Sequence, residues 1–186
     1  MDSALWALGR GSGIVALVLF TITVVLGILT RSGRPAFGLP RFGVTLVHRN
    51  TALFGSVFIL IHIFSLFFDP YAQLNLIDIV FPFLAAVKPF WVGLGTLAFD
   101  LLITLVITGL LRQRIGQKAF RAIHWFSYAM WPFALFHAIG NGSDAGSPLM
   151  ILLLVACSAT VLGAGIWRLS ETFVEYSEKR NSELGR

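Results

Sequence analysis

Apolar residues run along this chain in five long blocks separated by short polar breaks. The blocks cover about Ala4 to Leu29, Gly43 to Phe68, Phe90 to Leu111, Ala119 to Ile139 and Leu149 to Trp167. Each approaches or exceeds the ~20 apolar residues that a helix needs to cross ~30 Å of hydrocarbon. The first is too long, and too weakly charged at its start, for a cleaved signal peptide, so it reads as a span. Between the second and third blocks, Leu74 to Val87 is shorter, is punctuated by Pro82 and Pro89 and holds Asp78. Its length and its prolines predict an interfacial or re-entrant segment. Residues 168–186 mix both signs of charge and predict a cytoplasmic tail, helical and extending into water. The expected fold is an all-α integral membrane bundle of about five transmembrane helices plus one interfacial segment. Residues 1–186 form one domain, with no internal repeat.

Composition agrees, with 56% hydrophobic and only 12% charged residues. The net charge of +5 does not point to nucleic acid, because the basic residues lie between the apolar blocks. Arg31, Arg34 and Arg41 follow the first span, and Arg112, Arg114, Lys118 and Arg121 fill a short basic loop before or at the start of the fourth. The two other connections carry Asp69, Asp78 and Asp144 against Lys88 alone. By the positive-inside rule the N-terminus is expected outside and the C-terminus in the cytoplasm. The single cysteine, Cys157, excludes a disulfide within the chain.

All four histidines fall in two of these spans. His48 and His62 are fourteen residues apart in the second; His124 and His137 are thirteen apart in the fourth. Ionisable side chains inside a membrane are rare and mark function. Both spans run in the same direction, so at 1.5 Å per residue the members of each pair are separated by roughly 21 Å and 20 Å along the helix. His48 then matches His124 in depth near the inner face, and His62 matches His137 near the outer face. Neutral imidazole is a good iron ligand, so the pattern points to two b-type haems, each with two axial histidines. Fourteen residues return His62 to within about 40° of His48, whereas thirteen leave His137 about 140° from His124 in an ideal helix. Pro132 lies between the second pair and is the expected place for a kink that restores the phase.

A pair spaced His-x13-His and a pair spaced His-x12-His, with one helix between them, resembles the ferric reductase-like transmembrane domain. That superfamily includes NADPH oxidases, ferric reductases and the haem subunit of a bacterial methionine-sulfoxide reductase system. The resemblance covers about Gly43 to Ile139, with His48-Arg49, Pro82-Phe83, Trp91-x-Gly93-Leu94-Gly95, Leu110-Leu111-Arg112 and His124-Trp125 similar to small bacterial members. It implies electron transfer through two b haems in a bacterial cell membrane, ligated by His48, His124, His62 and His137. The chain shows five spans where larger members have six, and lacks a Gly-rich dinucleotide motif. A separate cytosolic reductase, a flavin or a quinol is therefore the expected donor, and a flavin or quinone at an interface is a further candidate cofactor. Outer acceptors would be a ferric chelate, oxygen or a flavoprotein.

Haem propionates need cations near the interfaces. Arg49 and Arg121, beside the inner ligands, are candidates, with positive-inside anchoring as the alternative. Arg10, inside the first span, either pairs with an outer propionate or snorkels to water. Gly55 lies midway between His48 and His62 and would let a macrocycle or a neighbouring helix approach; Gly13 and Gly27 share the same fourteen-residue spacing. Asp100, mid-span, calls for protonation or a partner in the bundle interior.

Three functions compete at this level. The first is a reductase that passes electrons to a small outer acceptor. The second is a haem-bearing membrane anchor within a larger oxidoreductase complex. The third is a haem-free packing or transport protein with His62 and His137 along a polar path.

Overall fold

A computed structural model describes residues 2–176. Among these the chain forms seven helices: α1 (Asp2–Ser32), α2 (Arg41–Phe67), α3 (Leu76–Val80), α4 (Pro89–Leu110), α5 (Arg112–His124), α6 (Ser127–Asn141) and α7 (Pro148–Leu169). Four of them, α1, α2, α4 and α7, are long and apolar enough to cross a bilayer. In hydrocarbon, backbone N–H and C=O groups must bond within their own segment, so unbroken apolar runs become helices. The protein is an integral membrane helical bundle.

α1 is apolar all round, which suits a helix enclosed by others. Ala16, Leu17, Phe20, Val24 and Ile28 of α1 meet Ala98 and Leu102 of α4, Met130, Trp131 and Leu135 of α6, and Met150 and Leu154 of α7. α2 lies outside this core, packed antiparallel along α1, with Gly9 against Leu66 and Gly27 against His48. Its other face, including Leu53, Phe54, Leu60 and Phe64, is exposed and faces lipid. α4 packs along α6, and α1 touches both α6 and α7. One polar contact ties the core: the Trp131 indole N–H donates to Thr21 Oγ1 at 3.0 Å, and that hydroxyl donates to the Leu17 carbonyl at 2.9 Å. Thr21→Val keeps the shape and strands the buried indole N–H. It should lower stability by about 1 kcal/mol, read as an earlier thermal unfolding in detergent; unchanged unfolding would mean the bond contributes nothing.

Three expectations need correction. The run from Ala119 to Ile139 is not one helix: α5 ends at His124, and α6 begins at Ser127 after a tightened turn. There Phe126, Tyr128 and Ala129 N–H groups bond three residues back, to Ile123, Trp125 and Phe126. The basic stretch before it is not a loop but the first part of α5, interrupted at Gly116, whose φ of 79° leaves the helical region. Its charged residues face water and its apolar ones turn the other way, which stabilises an interfacial helix.

The tail does not continue α7 directly, because residues 170–175 are not helical. α7 stops at Leu169, and residues 170–176 fold back so that Phe173 packs on Trp167 at 5.0 Å and Tyr176 packs on Gly33 and under Arg41. Burying these aromatic faces outweighs extending the helix into water. Residues 177–186, the rest of the expected tail, lie outside the described residues. The 74–87 segment contains α3, capped by reciprocal bonds between Asn75 and Asp78, and lies against α4. Thr96 Oγ1, two turns into α4, donates to the Asp78 carbonyl at 2.6 Å, so the segment dips below the helix end rather than lying across it.

Candidate functional site

The four histidines converge as two pairs. The rings of His48 and His124 are 6.3 Å apart between centroids with planes at 75°. Those of His62 and His137 are 6.2 Å apart at 90°. α2, unbroken, carries His48 and His62 on the side that borders α1. His124 closes α5 and His137 lies in α6, and the tightened turn at Trp125 and Phe126 brings them to a common side. Each residue bonded three back advances ~120° instead of ~100°, in the direction that recovers the missing phase. Pro132, the expected site of repair, lies inside α6.

Hydrogen bonds decide which ring nitrogen is free. His48 Nδ1 donates to the Thr23 carbonyl at 2.9 Å, His62 Nδ1 to Gly9 at 2.7 Å and His137 Nδ1 to Trp91 at 2.8 Å. A carbonyl only accepts, so these three imidazoles carry their proton on Nδ1 and keep the Nε2 lone pair for a metal. His124 differs: its buried Nδ1 has no partner among the described residues, and its ring stacks on Phe120 at 5.0 Å.

Two imidazoles on one metal ion, each nitrogen ~2 Å from it, have ring centres roughly 6 Å apart. Both pairs meet that spacing. α2 is packed along α1 and makes no extensive contact with α6, which leaves a slot between the two histidine-bearing walls. At the His62–His137 end the slot opens into a cavity of ≈ 370 Å³, bordered by Gly13, Gly95, Phe20 and Arg10 as well as the two histidines. The segment before α4 forms its outer wall, with Asp69 and Asp78 both buried. Asp69 Oδ1 accepts the Tyr71 N–H at 3.0 Å and Asp78 Oδ2 accepts the Asn75 N–H at 2.9 Å, so both carboxylates are already engaged.

Arg10 stands beside this cavity, ion-paired with Asp144 from the loop before α7. Its Nε is buried without a partner among the described residues, a donor that suits a carboxylate of a bound group. Donor set, spacing and orphaned guanidinium N–H all fit a bis-histidine haem at this end. Gly55 admits the neighbouring helix α1: a Cβ there would meet the Phe20 ring at 3.0 Å. Gly13 and Gly27 lie against His62 and His48.

At the other end, Arg49 and Arg121 are exposed and make no ion pair among the described residues. The buried cation there is Arg168, which sequence reasoning missed. Its side chain is only 9% exposed, it lies over the rings of Trp125, Tyr128 and Phe173, and it pairs with Glu175 at 3.4 Å. Its Nη1 has no partner among the described residues. The one available signal was its place in the last turn of an apolar helix, where cations are common for other reasons. The Asp100 carboxylate is half-buried and makes no hydrogen bond or ion pair among the described residues, so of the two alternatives expected for it no interior partner is seen.

Residues 12–139, more than half of the chain, match the family model described as "Ferric reductase like transmembrane component". The chain belongs to this family. The ferric reductase-like match reaches into α1, beyond the Gly43 to Ile139 core on which the resemblance rested, and contains both histidine pairs; Arg10 and Arg168 lie outside it. No curated protein and no solved structure matches the chain. As a ferric reductase-like protein, it is a membrane component of the oxidoreductase and electron-transfer class.

Proposed function

We propose that this chain carries electrons across the bilayer through two b-type haems, one held by His48 and His124 and the other by His62 and His137. The observation that carries this reading is the repeated imidazole spacing of 6.3 and 6.2 Å at two levels of one bundle. A haem bound in each position supplies a one-electron carrier, and filling both axial positions favours electron transfer over oxygen binding at iron. The protein's own part is to hold and insulate. Nδ1 bonds to helix carbonyls orient three imidazoles before anything binds. Arg10, steadied by Asp144, offers charge to a carboxylate at one end, and Arg168 offers it at the other. Phe20, buried beside Gly55 between the two levels, keeps water out of the middle of the slot.

By the positive-inside rule, the basic residues after α1 and along α5 favour the His48–His124 end at the cytoplasmic face, with the N-terminus outside. Electrons then enter from a cytosolic reductase, flavin or quinol and leave near His62 and His137 to an acceptor such as a ferric chelate, oxygen or a flavoprotein. The decisive experiment is an optical spectrum of the purified protein, with haem counted per chain. The expected result is a six-coordinate b-type spectrum and two haems per chain. Protein that stays colourless after expression with ample haem would overturn the reading.

A further inference from the structure

Three of the four imidazoles are seated by one repeated device. His62 bonds the carbonyl of Gly9, and Gly13 lies four residues on; His48 bonds Thr23, and Gly27 lies four on; His137 bonds Trp91, and Gly95 lies four on. In an α-helix residues i and i+4 lie one above the other, and the Cβ at i+4 leans back toward the carbonyl of i. Glycine at i+4 therefore uncovers that carbonyl. Its first lone pair already holds the helix bond, and its second can accept an imidazole N–H, at Gly9 alongside the Ser12 hydroxyl at 3.1 Å. The fit is close: a Cβ added at Gly95 would lie 2.6 Å from His137 Nδ1, one at Gly13 2.9 Å from His62 Nδ1, and one at Gly27 3.3 Å from His48 Cε1.

Building on the two-haem reading, we propose that Gly13, Gly27 and Gly95 are positioning residues, each setting the ring plane and ligand strength of one histidine. Hydrogen-bonded imidazole is a more basic ligand, and loss of such a partner weakens metal binding by roughly 10–100-fold. The two sites are thereby unequal. His62 and His137 are both seated this way, whereas the other site has His48 seated and His124, its Nδ1 buried without a partner among the described residues, held only by packing on Phe120.

The test is alanine at each glycine, with haem per chain, the midpoint potential of each haem and the low-spin ferric electron paramagnetic resonance signal as readouts. Gly95→Ala and Gly13→Ala should perturb the His62–His137 haem alone, through its loss or a rise in its potential with an altered low-spin signal. Gly27→Ala should change only the other haem, and least of the three. Gly11→Ala and Gly109→Ala, on the same helices with nothing within 4 Å of an added Cβ, should be silent. Equal disturbance of both haems by Gly95→Ala would overturn the proposal, as would unchanged potentials and signals in all three variants. Wild-type protein without haem would instead overturn the underlying reading, which keeps the two failures distinct.

Discussion

Alanine in place of His62 or His137 should halve the haem bound per chain and spare the haem between His48 and His124. The two pairs share α1 and α2 but no hydrogen-bond partner: one draws on Gly9 and Trp91 for its Nδ1 bonds, the other on Thr23, fourteen residues further along α1. Removing one ring also leaves no stranded acceptor. The Gly9 and Trp91 carbonyls keep their helix bonds, so the cost to the fold is that of an emptied notch and not of an unsatisfied polar group. The remaining imidazole can fill only one axial position, which gives up bis-histidine ligation at that level. Haem counting on purified variants, with the low-spin signal of the surviving site as control, reads the outcome directly. Loss of both haems in equal measure would mean that the levels are not independent.

Gly93→Ala should damage the bundle through a single added methyl group. A Cβ there would run into the Phe83 ring and come within 2.6 Å of the Phe83 backbone nitrogen. A side chain can rotate away, but backbone cannot, and Phe83 is already in the left-handed region with φ 68°. The stretch before α4 must therefore lift, pulling at the Thr96–Asp78 bond and at the wall of the cavity beside His62 and His137. Overpacking of this kind costs about 1–3 kcal/mol. It should appear as a lower unfolding temperature together with faster amide exchange across residues 74–88. An unfolding temperature and exchange pattern equal to wild type would show that the segment is not pinned there.

Much of this molecule was legible before any coordinates. The apolar blocks beginning at Ala4, Gly43, Phe90 and Leu149 became α1, α2, α4 and α7 with ends shifted by a few residues, because in lipid a backbone has almost no alternative to the helix. The pairing of His48 with His124 and of His62 with His137 was legible too, since depth in a membrane is counted in residues at a fixed rise. The break after His124 was not. Trp125 and Phe126 are as apolar as their neighbours, and hydropathy does not distinguish four-residue from three-residue backbone bonding. The folded-back tail escaped for a related reason: its charges suggested water, while its fate was set by Phe173 and Tyr176 finding Trp167 and Gly33.

What the sequence determined by itself, then, is a membrane bundle with imidazoles at two depths, both consequences of local rules: apolar length and helical rise. What only the tertiary structure decided is how those imidazoles are held and charged. The register of α1 against α2 brings Gly9 and Thr23 under His62 and His48, the packing of α4 on α6 brings Trp91 to His137, and the meeting of chain segments 134 residues apart pairs Arg10 with Asp144. Such contacts depend on how whole helices slide and turn against one another, and that is settled by the sum of small packing energies along their faces and not by any one stretch of chain.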